Sequence, residues 1–343
     1  MARSVRVQSA AIGVLIGLGC VALLFRQVDL KQSWNALGRL NGPFLLVPAA
    51  VLLLNLPLRA WRWQLIFPSS SRPRVWQCLT VHGIGNMANF LLPGRAGDIA
   101  RCVLLGNGGS LANSSRILAT LAVEKVLDGL ALVATVLFSI WALQPPHWLL
   151  NLLRVAILAF GGALVLLILL RYKTPALAGF VRTLFSAARL SALEEKFDGL
   201  LTSFADGLCA VTTAQQMLAL LIITAAIWIT EAAMIWGLAA SLSLSVPPKS
   251  ALVATAILGL GLMIPAAPGG LGTYELLGTE AFKLAGITAS GALALTAVIH
   301  AWIFVANIAI GICLLAVKGI SLTQLRSRLS EEPVVEASAQ HTA

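Results

Sequence analysis

The chain has 343 residues, of which 58% are hydrophobic and only 11% charged, with a mean hydropathy of +0.89. Soluble domains carry about 25% charged residues, so this composition argues against a soluble enzyme, a secreted disulfide scaffold and a nucleic-acid-binding domain, and predicts an integral membrane protein. The formal charge of +10 comes mostly from Lys and Arg in short segments beside apolar runs, which is the positive-inside pattern rather than a nucleic-acid surface.

In chain order, Arg3 and Arg6 precede an apolar run at 9–25 that Arg26, Asp29 and Lys31 close. No small-residue cleavage site follows, so the run reads as a retained first helix. A bilayer core needs about 20 mostly apolar residues per helix, and five further segments approach that length: 43–58, which is short and also reads as extending into Arg59–Trp63 at the interface, 117–143, 148–170, 214–240 and 291–317. Two other apolar regions, 76–115 and 251–288, are interrupted by Pro93-Gly94-Arg95-Ala96-Gly97 and by Pro265 with Pro268-Gly269-Gly270-Leu271-Gly272. Broken backbone survives at membrane depth only inside protein or beside a wet cavity, so each region is expected to be a re-entrant helical hairpin. Residues 174–210 read either as an amphipathic helix on the inner surface or as a solvated connector, and the polar tail 321–343 as disordered. Trp61, Trp63 and Trp76 read as interfacial anchors.

Both breaks fit PGxxG followed by an acid, Asp98 in one and Glu275 in the other. Each is followed at similar distance by an apolar helix with a polar residue inside it, Glu124 in one case and His300 in the other. The expected fold class is therefore an all-α polytopic membrane protein of about six transmembrane helices plus two re-entrant hairpins, with repeats at 1–145 and 146–320 of opposite orientation. Under that topology 14 basic residues fall on one side, including Arg59, Arg62, Arg72 and Arg74 in a 59–75 loop, and four on the other. Both termini are then cytoplasmic. Eight full crossings give the same termini.

Ionisable groups at membrane depth cost about 2.5–3.5 kcal/mol each on insertion scales, so those in apolar segments are the candidate functional residues. Arg95, Asp98 and Arg101 sit at and after the first break, where two guanidiniums and the free N–H groups of a half-helix suit a phosphate. Asp98 alternatively serves only to seat the hairpin. Glu124 and Asp128 share a helix face at i, i+4 and read either as a coupled carboxylate pair taking part in proton transfer or as structural partners of arginines. Gly269, Gly270 and Glu275 mark the second break, Glu275 also suiting a helix cap. Glu231 has no local partner and is a candidate coupling site, while His300 reads as a satisfied core histidine or a switch. The five cysteines are isolated, and there is no HExxH, GxSxG or Walker motif, so no metal, no cofactor and no enzymatic activity are expected.

The stretches Asn89–Arg101, Glu124–Asp128 and Pro265–Glu275 resemble the lysylphosphatidylglycerol synthase transmembrane family, with a likeness running over residues 5–320. The resemblance implies a flippase-like bacterial inner-membrane protein in which Arg95, Asp98, Arg101, Glu124, Asp128 and Glu275 occupy motif positions. Many members carry an arginine, and later a proline, in the last helix where this chain has His300 and Asn307. Full synthases add an aminoacyl-transferase domain where this sequence has a short tail after Lys318, so lysine transfer is not expected of it. The implied function is movement of an anionic phospholipid or an isoprenoid lipid of the polyprenyl or hopanoid type between leaflets. The alternatives are a non-transporting partner that presents lipid to a biosynthetic enzyme, or an intramembrane headgroup enzyme using Asp98, Glu124 or His300. Partners expected are membrane lipids and such an enzyme, not nucleic acid.

Overall fold

The computed structural model describes residues 41–92, 96–106, 111–140, 146–174, 179, 191–208, 213–263, 268–320 and 324, with only the backbone for 111–112, 139–140, 191–198 and Pro268. The first apolar run at 9–25, Arg95, Pro265 and nearly all of the 321–343 tail lie outside these residues.

The described residues form an all-helical protein of ten α-helices. They are α1 (Leu46–Ile66, entered through a 3-10 turn at Gly42–Leu45), α2 (Val75–Leu91), α3 (Ala96–Leu105), α4 (Leu111–Ile140) and α5 (His147–Tyr172). The second half adds α6 (Ser191–Leu208), α7 (Ala214–Ser241), α8 (Pro248–Met263), α9 (Thr273–Lys283) and α10 (Ala289–Lys318). Among the described residues, four helical segments are long and apolar enough to cross a membrane, Gly42–Ile66, His147–Tyr172, Ala214–Ser241 and Ala289–Lys318. The 30-residue α4 has the length as well, but carries Arg116, Glu124, Lys125 and Asp128 along it.

The two interrupted regions fold as pairs of short helices lying against each other, α2 with α3 and α8 with α9. The first pair closes through glycine: a Cβ on Gly97 would run into the carbonyl oxygen of Gly85, and the Gly97 N–H donates to Asn89 Oδ1 at 2.9 Å. In the second, Gly269, Gly270 and Gly272 all adopt positive φ (67°, 76° and 84°), a conformation that L side chains resist. The Glu275 carboxylate then accepts from the Gly272 N–H at 2.7 Å, capping α9.

Two apolar cores hold the bundle. One gathers α1, α2 and the first half of α4 with the end of α10, around Trp63, Ile66, Ile84 and Met87. The other joins α4, α5, α7, α8, α9 and α10 around Leu132, Leu238, Ile257 and Phe282. Two expectations are corrected here. Trp63 is not an interfacial anchor: it is fully buried and donates to Thr120 Oγ1 at 3.0 Å, while Trp61 and Trp76 are exposed. The helical part of 174–210 is not a free connector either, since α6 docks on α4 through Ser115 Oγ to the Leu200 carbonyl (2.8 Å) and buries Ala205 and Leu208.

Candidate functional site

The centre of the bundle contains a cavity of about 290 Å³. Its lining comes from α1, α2, α4, α7, α8, α9 and α10 and from the second break. Part of the lining is apolar, including Leu52, Leu56, Met234, Leu258, Leu262 and Ile303, and part is polar, including Asn55, Arg59, Lys125, Asp128, Glu231, Tyr274 and Asn307, with Asn86 and Asn89. The two interrupted segments meet at its edge, where Phe90 at the end of α2 lies against Gly269 and stacks edge-on with Phe304 at 5.9 Å between ring centres.

In and behind this lining, ion pairs bind separate helices together. Arg62 of α1 is fully buried and grips Asp128 of α4 with both Nη atoms, at 2.5 and 2.9 Å, while Asp128 also accepts from Trp228 Nε1 at 3.1 Å. Arg101 of α3 is equally buried, forks onto both Glu124 oxygens at 3.0 and 2.7 Å, and lies 4.1 Å over the Trp63 ring. Such bidentate pairs neutralise a carboxylate that could not stay charged alone at this depth. Around the cavity itself, Arg59 of α1 donates from Nη2 to Glu231 of α7 at 2.9 Å, and Lys125 lies 3.8 Å from Asp98.

At the second break Glu275 and His300 meet each other, and neither lines the cavity. One oxygen of Glu275 meets His300 Nδ1, and His300 Nε2 donates to the Gly269 carbonyl at 2.9 Å. The imidazole also packs on Tyr274, 4.6 Å between ring centres. His300 thus fastens both sides of the Gly-rich turn to α10.

The sequence model of the lysylphosphatidylglycerol synthase TM region matches residues 10–311. The chain belongs to that family. No curated protein and no solved structure matches it. For this member of the lysylphosphatidylglycerol synthase TM family, the match together with the long apolar helices makes the chain a lipid-related membrane protein.

The residues singled out in the sequence divide into two groups. Asp128, Glu231 and Gly269 line the cavity. Asp98, Arg101, Glu124, Gly270, Glu275 and His300 stand behind the lining, holding the elements that form it. Glu124 and Asp128 share a face as their spacing implies, but each meets an arginine of a different helix instead of the other carboxylate.

Arg59 and Arg62 are not among the candidate residues of the sequence, where the charge count places them in an inner loop although the short 43–58 segment also reads as running on into 59–63. That expectation is corrected: α1 continues through both to Ile66, with Asn55, Arg59 and Arg62 on one inward face. The signal was present as polar residues spaced four and three apart, the spacing of a helix face. Glu231 likewise has its partner 172 residues away, in Arg59.

Proposed function

We propose that this protein moves an amphipathic lipid with an anionic headgroup between the leaflets of a bacterial inner membrane. The headgroup occupies the central cavity and the tails stay in the bilayer. The observation that carries this reading is the cavity's lining, which sets the cations Arg59 and Lys125, together with Asp128 and Glu231, among apolar side chains, inside a protein of the lysylphosphatidylglycerol synthase TM family. At about 290 Å³ it sits at the lower end of small-molecule sites, a size that suits a headgroup rather than a whole lipid. Arg59 supplies a planar fork for phosphate oxygens and Lys125 a mobile point charge. Asn86, Asn89 and Asn307 are within the same lining to meet headgroup hydroxyls.

Both hairpins are re-entrant on this reading. The second arms, α3 and α9, have 10 and 11 residues, about 15–17 Å of helix at 1.5 Å per residue, half of a hydrocarbon core about 30 Å thick. Their parallel tethering supports the inverted repeat: in each half the long helix after the break holds the second arm, Glu124 holding Arg101 and His300 holding Glu275. Both termini lie in the cytoplasm, because the basic bias between the two sides survives the removal of Arg59 and Arg62 from the loop set.

Proteoliposomes containing a fluorescent phosphatidylglycerol, quenched from outside, test the proposal. Wild-type protein should accelerate leaflet exchange, and Arg59→Gln should slow it by about 10–100-fold, the worth of a charge-assisted hydrogen bond. Equal rates for the two, or a wild-type rate no faster than empty liposomes, overturn it. Binding without exchange would favour the lipid-presenting partner instead.

A further inference from the structure

We infer that Glu231 is a proton-binding residue that trades places with the lipid phosphate on Arg59. The inference rests on the headgroup reading above and adds a second ligand to the same site: one proton taken up for each anionic headgroup bound.

The geometry separates a fixed arginine from a displaceable acid. Arg59 Nε donates to Asn55 Oδ1 at 2.5 Å, and Asn55 is itself locked to α7 through Thr230 Oγ1 (3.0 Å) and the Ile227 carbonyl (3.3 Å). The guanidinium also lies 5.4 Å from the centre of the Trp228 ring. These contacts remain when Glu231 leaves. Glu231 has a single ion-pair contact among the described residues, to Arg59 Nη2, and its side chain is 22% exposed where the Arg59 side chain is 17% exposed. An incoming phosphodiester competes for the same Nη edge, and its two free oxygens fit the fork better than one carboxylate oxygen.

Once displaced, the carboxylate stands in the cavity without its cation. The charged and titratable groups around it are Asp128 and Lys125 from α4 and Tyr274 from α9. The described parts of α2, α8 and α10 give the lining no charged residue. Asp128 repels it and is already committed to Arg62, and Lys125 is engaged with Asp98. Burying that charge unpaired is costly, so Glu231 takes a proton from hydronium or protonated buffer in the solution on the side where the lipid loads, its carboxyl O–H bond forming as the donor's bond to that proton breaks. The bound complex then carries the same charge as the empty site, and a lipid anion crosses together with a proton.

Titration calorimetry of the full chain in detergent, with dioctanoyl phosphatidylglycerol at pH 7 in two buffers of different ionisation enthalpy, counts the protons. The expected result is about one proton taken up per lipid in wild type, and none with Glu231→Gln, which should bind several-fold tighter because Arg59 has lost its competing anion. Wild-type binding without uptake, or equal uptake in Glu231→Gln, overturns the inference. The wild-type measurement stands alone if the variant fails to fold. Lack of lipid binding by wild type overturns it together with the headgroup reading. One-proton uptake without leaflet exchange in proteoliposomes sustains the exchange at Arg59 and removes the transport reading alone. Equal affinity and uptake with inorganic phosphate sustains the exchange but overturns the lipid as its ligand. In proteoliposomes, wild-type exchange should ignore membrane potential, whereas Glu231→Gln should respond by up to about 50-fold per 100 mV, the equivalent of one uncompensated charge. An equal response in both overturns the coupling.

Discussion

Asp128→Ala should destabilise the protein by about 3–5 kcal/mol, the usual cost of removing one member of a buried ion pair. The substitution leaves the Arg62 guanidinium in a site with no exposure to solvent, with Thr224 Oγ1 at 3.2 Å as its remaining hydrogen-bond acceptor among the described residues. A bare positive charge there is worse than none, so the double variant Arg62→Met with Asp128→Leu should recover most of the loss. Thermal unfolding in detergent reads the difference. Asp128→Ala should lower the Tm by about 5–10 °C, and the double variant should lie closer to wild type than to the single one. If Asp128→Ala unfolds within about 1 °C of wild type, the pair is not what holds α1 to α4.

That expectation follows from what the two buried pairs do in the fold. Glu124 and Asp128 lie one turn apart on α4, and their arginines come from α3 and α1. A single face of one helix therefore ties the first hairpin and the first described span to the middle of the bundle. The cavity opens beside that knot, so Asp128 is at once part of its wall and part of its frame. Arg101 lies behind the wall, with its fork filled by Glu124 and its face covered by Trp63. Arg59, by contrast, lines the cavity, and both it and its partner Glu231 are partly exposed.

How far this was legible depends on the range of the interaction. The breaks between α2 and α3 and between α8 and α9 were legible because clustered Pro and Gly disfavour a continuous helix and their clustering is local chemistry, whereas the lone Pro57 is carried inside α1. The long apolar helices also followed from composition. The partner of each buried charge did not, because Arg62 and Asp128 are 66 residues apart and Arg59 and Glu231 are 172 apart, and no periodicity spans such distances. Arg59 and Arg62 were mistaken for loop residues for a physical reason: hydropathy averages over all sides of a helix and cannot tell a chain leaving the bilayer from a helix that turns its charges inward. Trp63 misled in the same way, since a tryptophan near arginines fits an interface and fits equally a guanidinium stacked in a core.

Replacing Gly97 by valine should have an even larger effect, because it acts on backbone. A Cβ at Gly97 would collide with the Gly85 carbonyl oxygen and with the Asn89 side chain that caps the Gly97 N–H. A flexible side chain can move aside, but the carbonyl belongs to α2, so α3 must swing away as a unit. Arg101 is on α3 only four residues further and its methylenes cover Gly85. The same displacement therefore pulls its guanidinium from Glu124 and Trp63, adding the cost of a broken buried pair to that of overpacking. The sum is about 4 kcal/mol or more, enough that Gly97→Val should yield little monodisperse protein in size-exclusion chromatography and at least tenfold slower lipid exchange. Gly161→Ala is the matched control. That glycine is inside α5 with no atom near its absent Cβ, so alanine there should be neutral or slightly stabilising. If Gly97→Val behaves like Gly161→Ala, the close crossing of α2 and α3 does not position Arg101, and the first hairpin is not the rigid wall on which the cavity depends.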